Sequence, residues 1–434
     1  MKRTLNFKVI EHTIRGQNIR QRPGAVKLGY ENGIRLAVKQ YIPSDSRRPQ
    51  PSDVTLIGAH ANSFPKELYE PLWDDLYEQL RVQNRHIRSI WIADVAQQGQ
   101  SGILNEDILG DDRMYIPMAM KVEYISEVKL PTDWFDHGRD LLQLINQFQD
   151  DISHPLIGIG HSMGGAQLAH LSLMHPALFN GLVLLDPVIQ RGNPGRGFAY
   201  ASTNRRDIWP SREQAAQKFL SNAFYRSWDP RVFERFVKYG LRDLPTRNHA
   251  LSEATGQPSV TLATKKAQEL FFYIRPSYVD ERSGLARGIP EHDMHPDDID
   301  DFPFYRPEPA QIFRELPHLK PDVLYLFGES SPLSSPEARQ KKMEITGTGI
   351  GGSGGLASGR VQERVLPCGH MVPMEMVRKT AEASAEFIKS TVSAWESQSS
   401  AFQRAWEQVP QHERGDVDEQ WRRHLGVSSK RPEL

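Results

Sequence analysis

Apolar and polar residues alternate around Phe7-Val9-Ile10 and Ile34-Leu36-Val38, with the turn residues Glu31-Asn32-Gly33 between the runs. A period of two predicts an antiparallel meander at the edge of a larger sheet. The pattern then changes to short apolar runs separated by helix-period stretches: Val54 to Gly58, a helix from Lys66 to Leu80, and Ile87 to Ile92. It continues with a helix near Gly138 to Phe148, a strand at Pro155 to Ile159, a helix after Ser162 and a strand at Leu182 to Leu185. Such βαβ alternation implies a mostly parallel sheet with helices on both faces. Between Pro187 and Leu319 it stops, and helix-like segments at Arg212 to Phe224, Arg231 to Tyr239 and Lys265 to Phe272 are broken by Pro-rich loops. Strand patterns resume at Val323 to Phe327 and Val361 to Leu366, and a long helix begins near Glu375. The expected organisation is a core over 1–187, an inserted helical lid over 188–320, the rest of the core over 321–398, and a helical tail over 399–434. In that tail Phe402, Trp406 and Trp421 sit among charges, as in a helix packed back on the domain or against a partner.

Charge adds little to this picture. Fifty-three basic and 54 acidic residues nearly cancel, so no global field would draw the chain to nucleic acid or an anionic membrane, and a small-molecule partner is expected. Cys368 is the only cysteine, which favours a reducing compartment. The chain shows no apolar run of 18 residues, no signal-peptide pattern at its start and no peroxisomal tripeptide at its end, so a cytoplasmic protein without integral membrane association is expected.

The chemistry concentrates at Gly160-His161-Ser162-Met163-Gly164, a Gly-x-Ser-x-Gly pentapeptide between an apolar strand and a helix-period segment. So sharp a strand-to-helix turn strains the central residue and crowds its neighbours, which accounts for glycine at 160 and 164 and projects Ser162 Oγ from the sheet's carboxyl edge. A serine hydroxyl is a weak nucleophile until a base takes its proton. His370, just after the last predicted strand, is the candidate among 15 histidines. A carboxylate should fix the imidazole tautomer, and two are placed for it. Asp186 ends the Leu182 to Leu185 strand and is favoured; Glu329, after the Val323 to Phe327 strand, is the alternative. The first oxyanion donor is the N–H of Met163, the residue after the nucleophile.

These landmarks, spread in order from Val54 to Val377, resemble the α/β-hydrolase superfamily. More narrowly, His60-x-x-x-x-Pro-Lys-Glu67, Gly160-His-Ser-Met-Gly-Gly165, Leu185-Asp-Pro187 and Phe327-Gly-Glu-Ser-Ser-Pro332 resemble fungal hydrolases grouped with peroxisomal lipases and host-selective-toxin biosynthesis proteins. The resemblance implies an α/β-hydrolase fold and a serine hydrolase that cleaves an ester or thioester of a small acyl or lipid-like substrate through an acyl-enzyme. No metal or organic cofactor is required, and the peroxisome becomes an alternative location. It places His60-Ala61 where relatives carry His-Gly and makes Asn62 the second oxyanion donor. It sets Asp94 with Gln98-Gly-Gln-Ser101 in a structural turn, and it puts Ser331 where relatives usually carry an aspartate. Acyl transfer, C–C bond hydrolysis of a secondary metabolite, and a non-catalytic binding homologue are the rival readings. Epoxide hydrolases and dehalogenases would carry aspartate at position 162.

Other features have plainer explanations. His292 to Asp301 reads as a solvated acidic loop rather than a metal site, Gly347 to Gly359 as a mobile loop without the lysine of a phosphate cradle, and Cys368 as a small packed side chain. The lid aromatics Trp209, Phe219, Phe224, Tyr225, Trp228, Phe233 and Phe236 suit either an acyl pocket or lid packing.

Overall fold

The alternating segments at the start form strands β1 (Phe7–Arg15) and β2 (Arg35–Pro43), paired antiparallel from Phe7 against Pro43 to Arg15 against Arg35. Strands β3 (Val54–Ala59), β4 (Ile87–Ala93), β5 (Leu156–His161) and β6 (Gly181–Leu185) follow. Helices α1 (Glu70–Val82), α2 (Gly99–Leu104), α3 (Trp134–Gln147) and α4 (Met163–Met174) alternate with them. The stretch predicted as one helix from Lys66 is a 3₁₀ turn over Lys66–Tyr69 leading into α1, with Pro71 in the first turn of the α-helix, where its missing N–H is harmless. The computed structural model describes residues 6–22, 25–27, 33–45, 47–109, 133–192, 194–247, 259–276, 278, 295, 303–411 and 413–427. Glu31 and Asn32 of the expected turn, and His292 to Asp301 apart from His295, lie outside them.

After β6 come α5 (Gly195–Thr203), β7 (Ile208–Trp209), α6 (Arg212–Leu220), α7 (Ala223–Arg226), α8 (Pro230–Tyr239), β8 (Leu241–Asp243), β9 (Val260–Leu262), α9 (Lys266–Tyr273), β10 (Arg275–Pro276), β11 (Phe304–Tyr305) and α10 (Glu308–Glu315). The helix expected over Arg212 to Phe224 is two helices, because the Asn222 side chain accepts from Phe224 N and starts a new one. This segment is also less purely helical than its periodicity suggested. β7, β9 and β8 form a small antiparallel sheet and β10 pairs with β11, in strands too short to carry a period.

Strands β12 (Asp322–Gly328) and β13 (Val361–Leu366), with α11 (Pro336–Ile345) between them, complete the main sheet. Its order is β1-β2-β4-β3-β5-β6-β12-β13, parallel from β4 onward. Side chains alternate across it: on β6, Val183 and Leu185 join the cluster with Leu72, Leu76 and Phe387, whereas Leu182 and Leu184 join Leu141, Leu168 and Leu171. Each such side chain, fully removed from water, stabilises by about 1.5–3 kcal/mol.

After α12 (Val372–Glu375), α13 (Val377–Gln408) runs unbroken for 32 residues through position 399, and α14 (Glu419–His424) follows. Among the described residues the tail is largely exposed rather than packed back on the domain: Phe402 and Trp406 stack on each other while 72% and 48% exposed. Among the described residues no helix is long and apolar enough to cross a membrane.

The loops leaving β3, β5, β6, β12 and β13 carry Asn62, Ser162, Asp186, Ser331 and His370 respectively. In parallel sheets this carboxyl edge is where ligands bind, because every βα connection opens there.

Candidate active site

Ser162 links β5 directly to α4 with φ 56° and ψ −117°, a conformation that costs a non-glycine residue about 1–3 kcal/mol. Backbone bonds hold it: its N–H donates to Leu185 O at 2.9 Å, and its carbonyl accepts from Val188 N at 3.1 Å and from Ala166 N at 3.4 Å. The turn closes only because its flanks lack side chains. A Cβ on Gly160 would lie 2.6 Å from Gly164 O, and one on Gly164 would lie 2.2 Å from Ala59 O.

His370 Nε2 lies 2.8 Å from Ser162 Oγ, and its Nδ1 lies 2.6 Å from Asp186 Oδ2. Asp186 is fully buried and takes φ 42°, with its own N–H bonded to Leu326 O at 2.7 Å. Burial pushes its carboxyl pKa upward, but hydrogen bonds from His370, Ser331 and Ser334 outweigh burial and hold it below the usual carboxylate range. Ser331 Oγ donates to Oδ2 at 2.5 Å, while Gly328 N, at 3.3 Å, and Ser334 Oγ donate to Oδ1. Glu329 is not brought to the histidine: its side chain is exposed, and its N–H is taken by Leu366 O in the turn after β12. Ser331, a residue that cannot itself be the acid, is instead a donor to the Asp186 carboxylate one strand away. Nothing in the one-dimensional pattern could have assigned it that part. Behind this cluster lies Lys342, fully buried, its Nζ 3.4 Å from Leu333 O; burial lowers its pKa to about 8 even though Asp186 pulls the other way.

Met163 is the first residue of α4, so its N–H has no intrahelical acceptor. Asn62 N likewise has no acceptor among the described residues, whereas the N–H of Ala61 is taken by Tyr69 Oη at 2.8 Å. Ala61 keeps a negative φ, as an alanine must at this point, and the strained residue of the loop is Ser63 at φ 74°. A chain of bonds ties this loop to the histidine. Tyr69 Oη lies 3.0 Å from His161 Nδ1, and His161 Nε2 lies 3.0 Å from His370 O. A carbonyl only accepts, so Nε2 carries the proton and Nδ1 accepts from the phenol. Burial, reinforced by His370, lowers the His161 pKa to about 3 and keeps it neutral. Asp94 braces the next turn, accepting from Lys66 Nζ at 2.7 Å and Gln100 N at 2.9 Å.

The model of the alpha/beta hydrolase family matches residues 59–383. The chain belongs to that family. A Type I acyl-CoA thioesterase, mpaH', of Penicillium brevicompactum is 40% identical to this α/β-hydrolase over 402 residues, 87% of each chain. The abhydrolase domain-containing protein AFT2-1 of Alternaria alternata is 30% identical over 279 residues, 63% of this chain and 98% of the relative. Among solved structures, the peroxisomal alpha-beta-hydrolase Lpx1 of Saccharomyces cerevisiae superposes with a TM-score of 0.63 at 15% identity, over 98% of this chain and 96% of that one. The protein is therefore a hydrolase with fungal relatives, as its motifs implied.

Ser162 and His370 of this α/β-hydrolase open onto a cavity of about 390 Å³ between the sheet edge and the inserted segment. Of the seven lid aromatics singled out from the sequence, Phe224 and Tyr225 line it. Phe219 packs against both Trp209 and Phe236, and Trp228 packs on Phe64. Trp134, at the start of α3, Phe198, within α5, and Tyr273, at the end of α9, also line the cavity and were not anticipated, since all three fall outside the helix-like segments that periodicity picked out. Cys368 is buried, and burial pushes its thiol up to about 12, which suits a packed side chain. The glycine-rich loop is tied down rather than mobile: Gly347 N bonds to Leu316 O, Gly349 N to Pro317 O and Ser353 N to Leu319 O. Among the described residues no group of three His, Cys, Asp or Glu side chains is arranged to hold a metal.

Proposed function

We propose that this hydrolase cleaves an acyl thioester through an acyl-enzyme on Ser162. The observation that carries the reading is the alignment of Ser162 Oγ, His370 and buried Asp186 through contacts of 2.8 and 2.6 Å at the wall of a mostly apolar cavity. In the first half-reaction His370 Nε2 takes the hydroxyl proton as Ser162 Oγ attacks the carbonyl carbon, and Asp186 stabilises the resulting imidazolium. The N–H groups of Met163 and Asn62 hold the tetrahedral oxyanion. The C–S bond then breaks and the thiol leaves with the proton from His370. Water, deprotonated by the same nitrogen, attacks the acyl-enzyme and frees Ser162.

The similarity to an acyl-CoA thioesterase along 87% of the chain favours a thioester over a simple carboxylic ester. The single cysteine supports a reducing compartment, with the cytoplasm as the first reading and the peroxisome as the second. The domain limits at 187, 320 and 398 are proposed as the functional division between core, lid and tail.

The test is labelling with a fluorophosphonate, the adduct being located by mass spectrometry, alongside turnover of a panel of acyl-CoA thioesters and 4-nitrophenyl esters. Labelling confined to Ser162, absent in Ser162→Ala, together with thioester turnover above that of matched esters is expected. Folded protein that does not label, or a Ser162→Ala variant that keeps its turnover, would overturn the reading.

A further inference from the structure

Glu269, on lid helix α9, is 1% exposed, yet its carboxylate is not a core ornament. One oxygen accepts from Ser63 Oγ at 2.9 Å and also pairs with Arg205, while the other accepts from Ser202 Oγ at 2.7 Å. Its backbone carbonyl accepts from Asn62 Nδ2 at 3.0 Å. One lid residue thus grips both Asn62 and Ser63 of the loop after β3, and through the same carboxylate it holds Ser202 of α5 and the neighbouring Arg205. A second clamp closes on the loop from the core side: Gln98 donates to Asn62 Oδ1 at 2.6 Å and accepts from Ser63 N at 2.7 Å. Ser63 needs such clamps, because a serine at φ 74° relaxes unless its surroundings over-determine it.

We propose that Glu269 is a positioning residue that aims the Asn62 N–H at the developing oxyanion and makes completion of the oxyanion hole depend on the lid elements α5 and α9 being seated. The inference rests on the reading of Ser162 as nucleophile. A donor to an oxyanion acts in the transition state and hardly at all on the bound substrate, so its misplacement lowers kcat and leaves KM nearly unchanged. Removing such a donor outright costs about 10²–10³ in kcat, and releasing its loop is expected to cost about 10- to 100-fold.

The experiment compares Glu269→Ala, Ser63→Ala and the double variant Arg205→Met/Glu269→Gln with the native chain. The double variant removes both charges but keeps a hydrogen-bond partner for each serine, the amide oxygen accepting from one hydroxyl and the NH₂ donating to the other, which turns to accept. Each is assayed for kcat and KM on one acyl-CoA, and for affinity towards a matching trifluoromethyl ketone. That ketone reports the hole directly: Ser162 Oγ bonds to its carbonyl carbon, the π pair moves to oxygen as an oxyanion, and His370 keeps the proton. Expected are a kcat loss of about 10- to 100-fold in Glu269→Ala, an equal loss of ketone affinity, a smaller loss of the same kind in Ser63→Ala, and recovery in the double variant. If Glu269→Ala does not fold, Ser63→Ala and the double variant decide by the same two readouts. Unchanged kcat in folded Glu269→Ala and Ser63→Ala, or a kcat loss without loss of ketone affinity, overturns the proposal. Turnover surviving in Ser162→Ala would instead overturn the nucleophile assignment.

Discussion

Replacing Asp186 by asparagine keeps the shape of the side chain and removes one acceptor oxygen. In the native chain Oδ2 faces His370 Nδ1 and Ser331, and Oδ1 faces Gly328 N and Ser334. The serine hydroxyls can turn to accept, but the Gly328 N–H can only donate. If the amide turned its NH₂ towards Gly328, two buried donors would meet, at a cost of about 1–3 kcal/mol. The amide therefore presents its NH₂ to His370. Nδ1 must then accept, the ring proton moves to Nε2, and the imidazole can no longer take the proton of Ser162 Oγ. The expected result is a loss of about 10³–10⁴ in kcat, equivalent to about 4–5.5 kcal/mol of barrier, with KM little changed. Glu329→Gln, at an exposed position, should stay within about two-fold, on the scale of surface substitutions. Continuous thiol-release kinetics measure both.

Stability should move as well. The Asp186 pKa is depressed on folding, so its stabilising contribution is present above the unfolded carboxylate range and is lost as pH falls through the folded value. The deficit of Asp186→Asn in denaturant midpoint should therefore be largest near neutrality and shrink below about pH 4. Retention of more than a tenth of native kcat, or equal losses in Asp186→Asn and Glu329→Gln, would refute the reasoning.

Two further expectations concern the groups behind the site. Lys342 has its pKa lowered from 10.5 to about 8, so below pH 8 its buried charge costs the fold about 3 kcal/mol. Between pH 8 and 10.5 the unfolded chain holds more protons than the native one and stability rises with pH. Lys342→Met should therefore gain up to about 3 kcal/mol at pH 7 and much less at pH 10; an equal gain at both in urea titrations would count against a buried cation. Tyr69→Phe strips the acceptor from Ala61 N and the donor from His161 Nδ1. An unfolding free energy lower by about 1–3 kcal/mol is expected, together with reduced turnover; stability matching the native chain would show the relay to be dispensable.

Much of this protein was determined by local pattern. A period of two, a period of 3.6 and the glycines beside Ser162 are short-range consequences of backbone geometry, so the strands, the elbow and the late histidine could be read from the residues alone. The choice between Asp186 and Glu329 could not, because both follow core strands. Only the pairing of β6 with β12 brings Ser331 and Ser334 onto Asp186, while Glu329 points to water. The lid aromatics were equally undecidable, since spacing tells which residues share a helix face but not what that face meets. Glu269 was invisible for the same reason: its partners Ser63, Ser202 and Arg205 are held near it by folding across 64 to 206 positions of chain. Contacts over such separations carry no period, and only the tertiary structure could supply them.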